Sequence, residues 1–231
     1  MSAEQLVDKR YYQVARAGTV AERLVVAARN RIYDEFIRTA APTPASSIVD
    51  VGVSDVVGEA ANVLERKYPH PENITAVGLG TAVAFQAAFP AVRYQQVEPG
   101  QPLPFPDRAF DIATSNAVLE HVGSEGGQKT FVRELARVAR FVFISVPHRF
   151  FPVEHHTGIP LLHWTDGAFA LACRALGKHE WTRQENLIFM TQKRLQALGD
   201  ALPPGRRVTV GATGIPLGPF SSNLFMTISD R

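Results

Sequence analysis

The chain lacks most of what would place it in a special class. It has one cysteine, Cys173, in 231 residues, so no disulfide can form within it and a reducing compartment is expected. That cysteine ends the run Phe169-Ala170-Leu171-Ala172-Cys173, which suits a small buried side chain better than a nucleophile. No apolar run approaches membrane-spanning length. The first ten residues, MSAEQLVDKR, are charged and hold no apolar signal-peptide core, so a cytoplasmic, soluble protein is expected. Neither sign of charge dominates. With 24 basic and 22 acidic residues the net charge is +2, too balanced to argue for nucleic acid or an anionic membrane as partner. Arg133, Arg137, Arg140 and Arg149 recur, but helix solvation accounts for the first two, and no basic–aromatic tract is present. No internal repeat is visible.

What is present is a globular α/β pattern. Hydrophobic residues make up 45% of the chain and charged residues 20%, outside the disordered range. Thr19-Val20-Ala21-Glu22 reads as a capping box, and Leu24, Ala28, Ile32 and Phe36 follow at helical spacing until Ala41-Pro42-Thr43-Pro44. The segment before it, with Tyr11 and Tyr12, suits a short helix of its own. Ser47–Val53 reads as a first strand and its exit, with Ser54 or Asp55 capping a helix through Ala60, Val63 and Leu64 that Tyr68-Pro69-His70-Pro71 stops. Ile74–Gly78 and Val92–Val97 read as strands two and three, with Thr81–Phe89 helical between them. Phe110–Ser115 is strand four and Phe141–Val146 strand five, separated by a helix carrying Phe131, Leu135 and Val138. Thr165–Leu176 and a segment capped by Thr191 read as helices. Arg207–Val210 and Leu224–Ile228 are the last strands; their connection is too short for a crossover helix, so they pair antiparallel. The alternation predicts a doubly wound, mostly parallel seven-stranded sheet with an antiparallel last strand. Residues 1–45 form an N-terminal helical segment and residues 46–231 one α/β domain.

The most informative stretch is Leu103 to Val122, LPFPDRAFDIATSNAVLEHV. Leu103–Asp107 is punctuated by proline and cannot continue a helix. Phe110–Ser115 suits a buried strand. Asn116–Val122 then places polar side chains just past the strand's C-terminal end, where open parallel sheets bind ligands.

This stretch resembles the fourth-strand region of class I S-adenosylmethionine-dependent methyltransferases. Ser47–Asp55 and Phe141–Trp164 fit the same order of landmarks over roughly residues 30–200. The resemblance implies a Rossmann-like methyltransferase fold, S-adenosyl-L-methionine as cofactor and methyl transfer to a small-molecule acceptor. It also implies an N-terminal helical segment over the cofactor pocket, a helix packed on the sheet being the plainer expectation. Asp50-Val51-Gly52-Val53-Ser54 stands where the family has acid-x-Gly-x-Gly, with Ser54 in place of the second glycine. Gly78 ends strand two, but no acid precedes Thr81 to take the ribose hydroxyls. Glu98 is the candidate for the adenine amino group, about one residue early, with solvent exposure as the alternative. The expected cofactor-binding residues are therefore Asp50, Gly52, Gly78, Glu98, Asn116 and Ala117.

On the acceptor side stand Glu120-His121 and the loop Pro147–Trp164, where four of seven histidines fall within sixteen residues. Imidazole titrates near neutral pH and can take a proton from a nucleophile. His121, His148, His155 and His156 are the expected catalytic or pocket residues. Some quinone-biosynthesis relatives use two glutamates three apart plus this histidine to hold a metal. Here Ala117 occupies the first glutamate's position. Histidines with Glu154 are acceptable zinc or iron ligands, but the spacing matches no metal motif and the prolines suit a pocket wall, so an acceptor pocket and no metal is expected. Two other readings stay open: a different displacement on the same cofactor, such as intramolecular cyclisation, and a non-catalytic binding protein on a degenerate methyltransferase fold.

Overall fold

A computed structural model describes residues 19–230. The expected short helix around Tyr11 and Tyr12 lies outside the described residues. The first described element, α1 (Val20–Ala40), starts where the capping box places it: the Thr19 hydroxyl accepts the Glu22 N–H at 3.2 Å. It ends at Ala41 in the left-handed region, whose N–H donates to the Ile37 carbonyl.

One seven-stranded sheet follows: β1 (Ile48–Val51), β2 (Ile74–Gly78), β3 (Arg93–Gln96), β4 (Phe110–Asn116), β5 (Ala139–Pro147), β6 (Arg206–Leu217) and β7 (Phe220–Asp230). Its order is β3-β2-β1-β4-β5-β7-β6. The first five strands pair in parallel, while β7 runs antiparallel to both β5 and β6. This is the expected mostly parallel, Rossmann-like sheet with an antiparallel last strand. The last two strands are longer than the sequence indicates. The Gly/Pro-rich stretch read as a connection is itself strand, leaving only Gly218-Pro219 as a turn, and a bulge between Thr213 and Pro216 absorbs the irregular residues. β6 is an edge strand, where a proline without N–H is tolerated.

Alternate residues of the central strands feed two cores. On one face Ile48, Ile74, Ile112, Phe143 and Phe225 pack with Ile32 and Phe36 of α1, Leu64 of α2 (Val63–Lys67) and Phe85 of α3 (Val83–Ala88). On the other, Ala113, Val142, Ile144 and Met226 meet Val132 and Leu135 of α4 (Glu125–Val138) and Leu195 and Leu198 of α6 (Gln192–Asp200). Between β5 and α6 lies an excursion with its own small core, where Phe169 and Cys173 of α5 (Asp166–Ala175) pack with Ile159, Trp181 and Leu187. Cys173 is fully buried there.

The helix expected after β1 is the main difference. Residues 52–62 are irregular and α2 has only five residues. Asn62 prevents an earlier start: it adopts a left-handed conformation, and its side chain accepts from the Ser54 N–H and donates to the Ser54 carbonyl, closing the segment into a loop. Ser54 and Asp55 therefore do not cap α2. The Ser54 hydroxyl accepts the Val56 N–H, and the Asp55 carboxylate accepts the Phe85 N–H at 2.9 Å, in the first turn of α3.

Candidate functional site

The C-terminal ends of β1, β4 and β5 meet along one edge of the sheet. A cleft opens there beneath α1, lined by Arg29 and Tyr33 of the helix, Asp50 and Gly52 of the β1 exit, Asn62, and Asn116 at the end of β4. The β1 exit is tight. Gly52 has φ +103°, its N–H donates to the Val77 carbonyl at 2.8 Å, and a Cβ on it would collide with the Val118 side chain. The Asn116 side-chain oxygen accepts the Ser145 hydroxyl at 2.6 Å, which leaves its amide NH₂ for the cleft. Ala117 is left-handed at φ +57° and donates its N–H to the Ser145 carbonyl.

Asp50 has a partner that the sequence does not reveal. Glu65, on α2, is buried and neither of its oxygens makes a hydrogen bond of normal geometry. Burial and the neighbouring Glu65 carboxyl push Asp50 well above the usual carboxylate range, with the Arg29 charge opposing. Burial raises Glu65 to about 7. Asp50 lines the cleft with the buried Glu65 behind it, and a carboxyl pair with this little hydrogen bonding favours a cationic ligand group beside Asp50.

Gly78 and Glu98 stand apart from this cleft. Gly78 is buried, and a Cβ on it would lie 2.6 Å from the Tyr94 hydroxyl oxygen and 3.3 Å from the Val53 carbonyl. The Tyr94 hydroxyl donates to the Gly80 carbonyl, so a β3 side chain covers the end of β2. Glu98 is exposed on the turn after β3.

The histidines gather on the β4–β5 side. His148, His155 and His156 share a small cavity with Glu120 and Met190. His121 sits in the 3₁₀ turn Leu119–His121, which the buried Gln128 side chain holds by donating to the Leu119 carbonyl at 2.8 Å. Its Nε2 lies 3.1 Å from His156 Nε2, and its Nδ1 lies 2.6 Å from the Asn186 carbonyl. His156 Nδ1 is 2.7 Å from Glu154 Oε1, and that carboxylate also accepts the Thr157 hydroxyl and the His156 N–H. Trp181 walls the pair, its ring centroid 5.0 Å from that of His156. His148 Nδ1 donates to the Ser221 carbonyl at 3.2 Å, and His155 Nε2 makes no hydrogen bond.

Burial sets the charges. It lowers His121 to about 3 and His155 to about 4, the charge of His156 adding to both, and it also lowers His148. His156 moves upward because Glu154 outweighs its burial, while Glu154 falls to about 2, held against its own burial by the His156 and Thr157 hydrogen bonds. Burial raises Glu120 to about 7. His163 is structural, its Nε2 2.8 Å from the Phe151 carbonyl. Sequence reasoning missed Arg29, Asn62, Glu65, Tyr94 and Trp181, because the tertiary fold, and not any local spacing, brings each to the strand exits. Only the acid in Asp50-x-Gly52 pointed toward such a carboxyl pair.

Residues 49–141 match the methyltransferase domain family. That match supports an enzyme that carries a methyltransferase domain and uses S-adenosylmethionine as cofactor. No protein of curated function matches the chain. Its fold is similar to that of a methyltransferase from Thermotoga maritima (TM-score 0.55, 15% identity, 99% of this chain and 98% of that one). It is also similar to magnesium protoporphyrin IX methyltransferase from Synechocystis with bound S-adenosylhomocysteine (TM-score 0.58, 13%, 96% and 92%). A Rhodobacter sphaeroides chain to which zinc-dependent alcohol dehydrogenase activity has been ascribed shares the fold too (TM-score 0.63, 13%, 98% and 96%). At these identities the likeness speaks for the fold alone. No helix among the described residues is long and apolar enough to cross a membrane.

Proposed function

We propose that the enzyme transfers the methyl group of S-adenosylmethionine to a small-molecule acceptor, with the cofactor in the cleft beneath α1 and the acceptor against the histidine-rich loop after β5. One observation carries this reading: consecutive strand exits at Gly52, Asn116 and His148 put a carboxyl-lined cleft and a buried histidine cluster on the same edge of the sheet.

The cleft fits the amino-acid end of the cofactor. Asp50, backed by the buried Glu65, offers a carboxyl oxygen to the ammonium group, Arg29 and the Asn116 amide offer donors to the carboxylate, and Gly52 and Ala117 keep the chain turned away. We assign Gly78 and Glu98 to the adenosine side; Gly78 acts there through backbone shape and not open space, since Tyr94 covers it. The bound cofactor supplies a methyl group already activated by its sulfonium. The protein's task is to hold the acceptor in line and receive its proton. His148 and His155 are suited to the second task. Each has a ring nitrogen outside any hydrogen bond, and burial lowers both, so they are unprotonated at neutral pH. His121 and His156 form the opposite wall.

Mass spectrometry of incubations with a panel of small hydroxyl, amine and thiol acceptors tests the reading. It predicts acceptor-dependent S-adenosylhomocysteine. Methylthioadenosine without acceptor would indicate intramolecular displacement instead. Substituting His148 or His155 by alanine should lower turnover far more than cofactor affinity.

A further inference from the structure

Glu120 is a buried acid that the methyl transfer described above leaves unused. It is 1% exposed, and neither of its carboxyl oxygens makes a hydrogen bond. A buried polar group in that state costs folding free energy unless something compensates it. The turn that carries it is nevertheless well held. The Glu120 carbonyl accepts the Ile188 N–H at 2.8 Å, and the buried Gln128 side chain donates to the preceding carbonyl, that of Leu119. Glu120 lines the same cavity as His148 and His155. His148 Nδ1 donates to the Ser221 carbonyl at 3.2 Å, which leaves a lone pair on Nε2 of the neutral ring. His155 Nε2 makes no hydrogen bond. His156 and Glu154, also on the cavity wall, already satisfy each other at 2.7 Å. Among the described residues no lysine or arginine pairs with Glu120, and His121 Nε2, 3.9 Å from one of its oxygens, lies beyond hydrogen-bond reach. Arg29, whose charge reaches it, lines the cofactor cleft instead.

We propose that Glu120 is a specificity-determining residue of the acceptor site, and that the acceptor carries a protonated amine whose N–H groups donate to the Glu120 carboxylate inside this cavity. Resting on the methyl-transfer reading, this narrows its acceptors to amine-bearing small molecules. Two features favour an ammonium over a neutral hydroxyl. An ammonium only donates, and the Glu120 oxygens and His148 Nε2 only accept, whereas a hydroxyl brings further lone pairs to the same space. One positive charge also completes the balance of the cavity, where two carboxylates, Glu120 and Glu154, face the single imidazolium of His156. Burial already raises the Glu120 carboxyl to about 7, and a bound cation draws it back down, so the amine ionises the group that holds it. Leu187, Ile188 and Met190 supply an apolar wall for the methylenes next to the nitrogen. The cavity is small, so it takes the amine end and leaves the rest of the molecule beside His148, which is only half-buried.

The test is a calorimetric titration of full-length protein saturated with S-adenosylhomocysteine, using two matched pairs of probes: butylamine against butanol, and tyramine against tyrosol, in which a hydroxyl replaces the amine. The filled cofactor site keeps the amines away from Asp50. Each amine should bind at least tenfold more tightly than its alcohol. Glu120→Gln should erase that preference while its affinity for S-adenosylhomocysteine stays within twofold of wild type, and Glu120→Asp should keep part of it. Circular dichroism shows whether each variant is folded. Amine and alcohol bound alike by the wild-type protein, a result independent of every variant, overturns the assignment in favour of a protonated Glu120 facing a neutral acceptor. An amine preference that survives in folded Glu120→Gln overturns it as well. In the same titrations without cofactor, a preference lost in Asp50→Asn but kept in Glu120→Gln would put the amine in the cleft beneath α1 and likewise overturn it. The two claims fail separately. Protein that binds no S-adenosylhomocysteine sinks the methyl-transfer reading alone, since the cofactor-free titrations still read the amine preference. Cofactor binding with no amine preference sinks the role of Glu120 alone.

Discussion

The Tyr94 hydroxyl occupies the space beside Gly78: a methyl group on that glycine would lie 2.6 Å from the hydroxyl oxygen, which donates to the Gly80 carbonyl. Gly78 has no left-handed backbone, so its constraint is packing against this side chain. Gly78→Ala should destabilise the protein by about 1–3 kcal/mol. Adding Tyr94→Phe, which removes the oxygen, should recover part of that loss. Chemical denaturation of both single variants and the double variant measures the coupling. Strict additivity would mean that Tyr94 does not set the constraint.

Gly52 is constrained differently, by its positive φ and by Val118. Gly52→Leu should therefore lose cofactor binding, with some loss of stability as well. Val118→Ala opens the space but leaves φ unchanged, so Gly52→Ala/Val118→Ala should be more stable than Gly52→Ala yet less stable than Val118→Ala. Thermal unfolding ranks the three.

Arg137 ties the Pro-rich stretch before β4 to α4. It donates to the Leu103 and Phe105 carbonyls at 3.0 and 2.8 Å and pairs with Glu134 and Asp107. Arg137→Ala should cost about 1–3 kcal/mol, and lysine should not restore it, because one ammonium cannot reproduce the planar fork. Hydrogen exchange should rise first in the amides of residues 103–109.

Glu65 makes stability depend on pH. Its folded value is raised from 4.5 to about 7, so between those values the folded protein holds a proton that the unfolded chain has released. Stability therefore falls as pH rises through that window and levels off above it, by at most on the order of 3 kcal/mol. Glu65→Gln should flatten this part of the profile in cofactor-free protein. Cofactor affinity should run the opposite way in wild-type protein, strengthening toward pH 7 as the Asp50–Glu65 pair ionises beside the ammonium group.

The parts legible in the sequence were those governed by local rules. Thr19 capping α1, Thr191 capping α6 and the five parallel strands follow from caps and apolar runs. The span 52–62 was misread because helical spacing at Ala60, Val63 and Leu64 says nothing of Asn62 folding back on Ser54. The length of β6 and β7 was hidden by glycine and proline, which an edge strand with a bulge accommodates. At the site, the sequence supplied the histidines but not their facing geometry. His121 and His156 are brought together by strand order, and Glu65 reaches Asp50 from a helix that the sequence places too early.

The most direct measurement is a calorimetric titration of S-adenosylmethionine into wild-type protein and into Asp50→Asn and Asn116→Ala. Binding of one equivalent to the wild type, weakened at least tenfold in both folded variants, is the predicted result. Wild-type protein that binds no cofactor, or variants that bind it as tightly as the wild type, would contradict the placement of the cofactor in the cleft beneath α1.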